Sequence, residues 1–428
     1  MDMILVSRAF PRLILVLAVL FCVISHAAPE SIQGLDSTSA ESMAQSARPA
    51  PMSSHTLDSP EPESSPKSIA PPQAIKLIGL MDFGMLLDNL EGENTLWSTR
   101  TLWAVKLAPE LGILLRDRQG LYRHGIYLGA YGLQNMGETR FLTRANLTAY
   151  YAYQGDRWRA YAGIFPRAKL QGEYPLLFFR KDFFFFQPNT NGLALQIPRQ
   201  SDKRFSLSGE FVFDWYGGNL AKRYDEFFAL GELRADALRL LYVKANALLY
   251  HIKNAQLLAQ DGAISPSDPG SPDTQLLDEI LYNVSVGLDF TRFAESTRVR
   301  ALERADISLS ALGSLERKRR SSALGDFYLG AGGEISAKLQ FRGFGIEESY
   351  YFGKPQMRYF GEYGESIYNG LPFYQASNLN RLNAYYEYKN DFLRVNVGFL
   401  FYTFDSTLAL QQMLTLTLDT QKAFARIR

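Results

Sequence analysis

The sequence predicts an all-β fold, a closed antiparallel transmembrane β-barrel of about 16 strands within a range of roughly 14 to 18. Three observations predict it. An apolar export segment opens the chain, a Ser/Pro-rich stretch without aromatic residues follows, and from Ile75 onward apolar and polar residues alternate with a period of two. The connections between those runs are short and long by turns. A membrane barrel has that rhythm because one rim carries tight turns and the other carries loops, while each strand faces hydrocarbon on one side and water on the other.

Arg8 and Arg12 precede the apolar run Leu13 to Ile24, and Ser25-His26-Ala27-Ala28 supplies the small residues that a signal peptidase needs. The run is too short to span a bilayer, so residues 1–27 read as a removable signal peptide. The only cysteine, Cys22, goes with it, leaving a chain with no disulfide and no Cys-based metal site. Cleavage removes Arg8, Arg12 and Asp2 from totals of 45 basic and 44 acidic residues, which leaves 43 of each. Such neutrality argues against a nucleic-acid partner. Residues 28–74 hold no Phe, Tyr or Trp and carry prolines from Pro29 to Pro72 among many serines. That composition cannot bury enough apolar surface to fold alone. The segment reads as a disordered periplasmic linker with a coil reach of roughly 35 to 40 Å, ahead of a barrel with a C-terminal tail at residues 75–428.

The strands read in order at 75–86, 101–116, 122–132, 140–153, 157–165, 192–198, 204–215, 226–235, 237–251, 278–291, 303–314, 324–331, 334–343, 381–388, 391–403 and 408–418. Most have the length that a tilted strand needs to cross. In 140–153, Phe141, Ala145, Leu147 and Ala149 alternate with Arg140, Arg144, Asn146 and Thr148. In 204–215, Phe205, Leu207, Phe211 and Phe213 alternate with Ser206, Ser208, Glu210 and Asp214. Residues 226–258 are rich enough in Ala and Leu to permit a helix, but Ala235-Asp236-Ala237 fits a hairpin. Tight turns are expected at 117–120, 154–156, 198–203, 235–237, Gly332-Gly333 and 389–390, and longer loops at 87–100, 166–191, 216–225, 252–277 and 344–380. Two connections break the rhythm: 292–302 is long for a turn, and 405–407 is short for a loop.

Phe165-Pro166-Arg167, Tyr174-Pro175, Pro188-Asn189 with Gly192, and Gln412-Met413-Leu414-Thr415-Leu416 resemble an uncharacterised family of porin-like Gram-negative outer-membrane barrels over residues 75–418. The resemblance implies the fold and a location in the cell outer membrane, and it names no substrate. General porins of this size are often trimers, so it also implies a homotrimer. One departure is that the chain runs on through Lys422 to Arg428 instead of ending on an aromatic residue, with Phe424 as the stand-in.

Sorting the inward positions by strand puts Lys106, Arg123, Arg140, Arg144, Arg157 and Arg159 in the first third, and Glu210, Asp214, Glu232, Asp289, Asp306 and Glu334 in the middle and later strands. Facing walls of opposite charge would set a transverse field that favours polar solutes. Charges that merely solvate a wet lumen are the plainer alternative. The connection 166–191 is the expected constriction, carrying Arg167, Lys169, Glu173, Arg180, Lys181 and Asp182 beside Phe178, Phe179 and the run Phe183 to Phe186. Left in water, those rings would expose a large apolar patch. Folding inward covers them and narrows the channel, as the third loop of general porins does; packing over the rim or on a neighbouring subunit are the alternatives. Tyr368, Phe373 and Tyr374 in 344–380 suit sugar stacking, an outer girdle or a loop core equally. Arg317 to Arg320 form a basic outer run suited to lipopolysaccharide phosphates or to solvation alone.

Chemistry has little to work with. Only His124 and His251 fall in the barrel, both at lipid-facing parity near strand ends. Neither has the His-x-Ser spacing of an outer-membrane phospholipase, and no phosphate loop or nucleophile elbow occurs. No cofactor, metal or enzymatic activity is expected. The leading expectation is a porin that lets small hydrophilic solutes diffuse through a charged lumen, its contacts otherwise being outer-membrane lipids and lipopolysaccharide. The alternative is a closed barrel acting as an adhesin or structural anchor, with an outer-membrane enzyme a distant third.

Overall fold

The computed structural model describes residues 75–92, 96, 98–116, 122–199, 204–215, 226–238, 240–253, 276–291, 301–320, 323–324 and 326–419. The expected signal peptide, linker and C-terminal tail lie outside the described residues. The strands are β1 (Ile75–Glu91), β2 (Arg100–Arg116), β3 (Arg123–Asn135), β4 (Arg144–Gln154), β5 (Arg159–Pro166), β6 (Asn189–Ile197), β7 (Phe205–Asp214), β8 (Phe227–Ala237) and β9 (Leu241–Lys253). They continue as β10 (Leu276–Asp289), β11 (Leu302–Arg320), β12 (Ala323–Leu324), β13 (Tyr328–Phe341), β14 (Phe344–Gly353), β15 (Asn378–Lys389), β16 (Leu393–Phe404) and β17 (Thr407–Asp419).

Each long strand pairs antiparallel with its neighbours in the chain. The ring then closes, because β1 pairs with β2 on one side and β17 on the other: Asp82 faces Ala108 in one ladder and Asp419 in the other. β12 only extends the ladder of β11, which goes on to pair with β13, so the closed barrel has 16 full strands. Closure leaves no row of unpaired backbone groups, which hydrocarbon would not tolerate.

Side chains divide as the period of two requires. Ile126 and Leu128 of β3 point outward at 65 % and 60 % exposure, while Tyr131 and Leu133 of the same strand are buried inside. Along β7, Phe205, Leu207 and Phe211 lie outside, and Ser206, Ser208, Glu210 and Asp214 inside. Aromatic clusters mark both rims, as interfacial girdles do. Tyr122 stacks on Tyr153 beside His124, whose Nδ1 is 2.7 Å from the Tyr151 hydroxyl, at one end. Trp215, Phe227 and His251 cluster at the other, where His251 Nδ1 lies 2.7 Å from Asp278 Oδ1.

The strand number agrees with the sequence reading through two compensating errors. Gly332-Gly333 is not a turn but the middle of β13; a Cβ on Gly333 would come within 2.7 Å of the Phe352 ring, and one on Gly332 would run into Tyr351. Bareness there accommodates the rings of β14, rather than bending the chain. β14 itself falls where only a loop was expected, because Glu347-Glu348 interrupts its alternation; Glu347 turns inward and Glu348 outward. The true turn is Arg342-Gly343, at φ 49° and 83°. Asp405-Ser406 has the same form at φ 43° and 67°, which is how so short a connection joins β16 to β17. The Ala/Leu-rich stretch is the hairpin β8–β9.

Candidate functional site

The interior is occupied by two loops. The first, residues 167–188, leaves β5 and is held at once by Arg167, whose side chain is 1 % exposed and pairs with the equally buried Asp214 at 2.6 Å. The Arg167 guanidinium also donates to the carbonyls of Gln187 and Asn189 at 2.9 and 2.7 Å and lies 5.2 Å from the Phe183 and Phe228 rings. Glu210 takes the N–H groups of Gln171 and Gly172 at 2.7 and 3.1 Å and the Tyr174 hydroxyl at 2.5 Å. Glu232 takes the N–H of Glu173 at 2.6 Å. A loop without a ladder has backbone donors to satisfy, and carboxylates satisfy them best.

The Phe run is what this loop buries. Phe178 and Phe183 are 1 % and 2 % exposed, and Phe179 stacks on Phe183 with centroids 4.6 Å apart. Phe183–Phe186 make one helical turn whose end is fixed from the wall: the Tyr131 hydroxyl donates to the Phe185 carbonyl at 3.0 Å and Arg144 to that of Phe186 at 2.7 Å.

A second loop, residues 354–377, locks onto the first through two backbone bonds, Arg180 N–H to the Asn369 carbonyl at 2.9 Å and Leu371 N–H to the Leu176 carbonyl at 2.8 Å. Its wall anchors are again carboxylates. Glu316 takes the Tyr368 hydroxyl at 2.6 Å and the Arg358 N–H at 2.9 Å, and Glu334 takes the Tyr374 hydroxyl at 2.5 Å. Burial, then the nearby carboxylates, push both phenols well above their usual range, so they stay protonated donors. Tyr368, Phe373 and Tyr374 are buried. The loop-core alternative therefore holds for them, and their faces are not open to sugars.

Against the loops lies a chamber of about 530 Å³, floored by Ser308, Ser310 and Ser336 and bordered by Glu173, Lys244, Arg304, Asp306 and Lys338. A second space of about 450 Å³ shares Glu303 and Arg304 with it and reaches the Arg342-Gly343 turn. A closed antiparallel β-barrel with an apolar exterior and a charged interior is now in view, the architecture by which strands cross a membrane.

No family model matches the sequence, and no curated protein matches it. Among solved structures, OmpF of Salmonella typhi aligns with a TM-score of 0.43 at 9 % identity, covering 80 % of this chain and 97 % of that one. An anion-selective porin from Comamonas acidovorans aligns at 0.41 and 11 %, covering 81 % and 99 %. OprB of Pseudomonas putida aligns at 0.41 and 12 %, covering 80 % and 94 %.

The basic residues singled out in the sequence scatter along this barrel. Lys106 pairs with Asp82 at 3.0 Å and lies 5.5 Å from the Phe185 ring. Arg123 and Arg159 are exposed at the first positions of β3 and β5, and Arg140 and Arg157 are not in strands at all but exposed in connections at the two rims. Of the acids, Glu210, Asp214, Glu232 and Glu334 anchor the loops, Asp289 accepts from Arg199 and Arg234 at 3.4 and 3.3 Å, and Asp306 faces Lys338 across the ladder. In the loop, Lys169 offers its carbonyl to Gln196, Arg180 pairs with Asp182 at 2.8 Å and Glu365 at 2.9 Å, and Lys181 lies 3.7 Å from Glu347.

The expected division into a basic wall and an acidic wall does not hold. Lys244 of β9, Arg304 of β11, Lys338 of β13 and Arg381 of β15 also face inward, among the acids. The signal for them was available, since each stands at the inward parity of its strand. Arg317, from the basic run, is taken up by Asp278 at 2.9 Å and lies 4.2 Å from the Phe327 ring.

Two loop groups carry shifted acidities. Burial inside the lumen would raise the Glu173 carboxyl, but Arg304, then Lys244, Lys338 and Arg234, outweigh it and bring it to about 2. Burial and the neighbouring Arg381 pull Lys181 down to about 8 against the opposite pull of Glu347. The Glu173 shift marks a locally positive field, whereas the Lys181 shift comes first from burial.

Proposed function

We propose that the chain is a channel of the Gram-negative outer membrane through which small hydrophilic solutes diffuse down their gradients, with no cofactor and no chemical step. The observation that carries this reading is the pair of adjoining polar spaces of about 530 and 450 Å³, which leads from beneath the inward loops to the short-turn rim. Charged and hydroxyl side chains line both, so hydrated solutes find replacement partners for their water, and a large apolar molecule does not. Residues 167–188 contribute Glu173, Tyr174 and Pro175 to the lining of the first space. Planar-bilayer recording of the refolded protein tests it: discrete conductance steps in potassium chloride are expected, and silence from correctly folded barrels would reject the channel.

One observation favours a second reading. The two loops bond to each other and bury Leu177, Phe178, Leu371 and Phe373, the last against Tyr402 and Phe404 of the wall, which is more apolar packing than a passage alone requires. A barrel plugged in this way would serve as an anchor or adhesin through its outer surface, and it would remain silent in the same recording.

A further inference from the structure

Glu210, Glu232, Glu316 and Glu334 serve as anchors for a loop. Glu173 is different. Its backbone is fixed, with the N–H on Glu232 at 2.6 Å and the carbonyl accepting from Lys244 Nζ at 3.2 Å, but its side chain is 59 % exposed to the chamber. Among the described residues it makes one ion pair, a loose one, Oε2 to Arg304 Nη2 at 3.6 Å. Lys338 stands on the next strand, within its field. The backbones that carry the cations are held in the ladders of β9, β11 and β13, and the Glu173 side chain can rotate about its own bonds. A tethered carboxylate thus occupies a basic notch that opens directly on the chamber of about 530 Å³.

We propose that the chamber, lined by Arg304, Lys244 and Lys338, is a binding site for small monocarboxylates, which displace the Glu173 carboxylate from Arg304 as they pass. The proposal deepens the channel reading and rests on it for the word pass, though not for the word bind. Carboxylate fits better than a multiply charged anion for two reasons. Glu173 already demonstrates that a single carboxylate reaches Arg304, and Asp306, directly opposite Lys338 in register, would repel a second negative charge. The hydroxyls of Ser308, Ser310 and Ser336 remain for the polar remainder of the solute.

Equilibrium dialysis of the full-length folded barrel in detergent, with radiolabelled acetate at fixed ionic strength, reads the site without requiring conductance. Glu173→Gln removes the competitor while keeping its shape, and acetate is expected to bind at least tenfold more tightly than to the unaltered protein. Arg304→Gln should weaken acetate by a similar factor, and neutral acetamide should not be retained by any form. Equal binding by the unaltered and Glu173→Gln proteins, equal retention of acetamide, or tighter binding of inorganic phosphate than acetate would each overturn the proposal. Should Glu173→Gln fail to give the compact unboiled band of a folded barrel, Glu173→Ala supplies the same comparison. Bilayer recording separates the two claims: potassium chloride conductance with no acetate binding leaves a channel and removes the site, and tightened acetate binding in a silent barrel does the reverse.

Discussion

At the scale of single residues, Arg167 is where the first inward loop is made or lost. Both members of its pair with Asp214 are at most 1 % exposed, so water cannot replace either one. Removing one partner of such a pair leaves an uncompensated charge, which costs about 3–5 kcal/mol. Arg167→Met should therefore free residues 167–188 from β7, and limited proteolysis of the folded barrel should cut within them while the unaltered protein resists. Lys181 makes a different prediction. Its charged form is disfavoured in the folded barrel, with half-protonation at about 8 against an ordinary 10.5, so the unfolded chain holds more protons between those values. Its contribution to stability accordingly rises with pH across that window. Because the side chain is 37 % exposed, solvent screens the effect on stability, and selectivity is the better readout. Anion preference, measured as reversal potential in a salt gradient, should fall as pH rises from 7 to 9, and Lys181→Gln should flatten that dependence.

At the scale of elements, the plug depends on how closely two loops approach. A Cβ on Gly370 would run into the Leu177 carbonyl, and backbone on both sides leaves neither partner room to give. Gly370→Ala should part the loops, break the Leu371-to-Leu176 bond beside it, and raise both conductance and current noise without changing the barrel's compact gel migration. The strands were legible because a period of two survives local exceptions. Loop placement was less so. The Phe run implied that residues 183–186 needed cover, but nothing in the sequence pairs Arg180 with Asn369, which is 189 positions away by number and adjacent only once the barrel closes. Gly332-Gly333 failed for a related reason. Consecutive glycines mark either a bend or a place where rings press on backbone, and only the register with Tyr351 and Phe352 decides between them.

At the scale of the whole molecule, the question is which charges govern an ion on its way through. Same-sign neighbours along the sequence point to the arginines of the early strands. The closed ring changes that weighting. Arg140 and Arg157 sit exposed in rim connections, where bulk electrolyte screens them within about 10 Å at 0.1 M salt. Lys244 and Lys338 border a narrow chamber with protein on most sides, where screening is weaker and fields are focused. Neutralising Lys244 and Lys338 together to Gln should move the reversal potential strongly toward cation preference, whereas the same change at Arg140 and Arg157 should move it little. An equal shift from both pairs would mean that the current does not run through the chamber, and that ions enter by a route along the first strands, between Lys106 and Arg144, where Phe185 and Phe186 now stand.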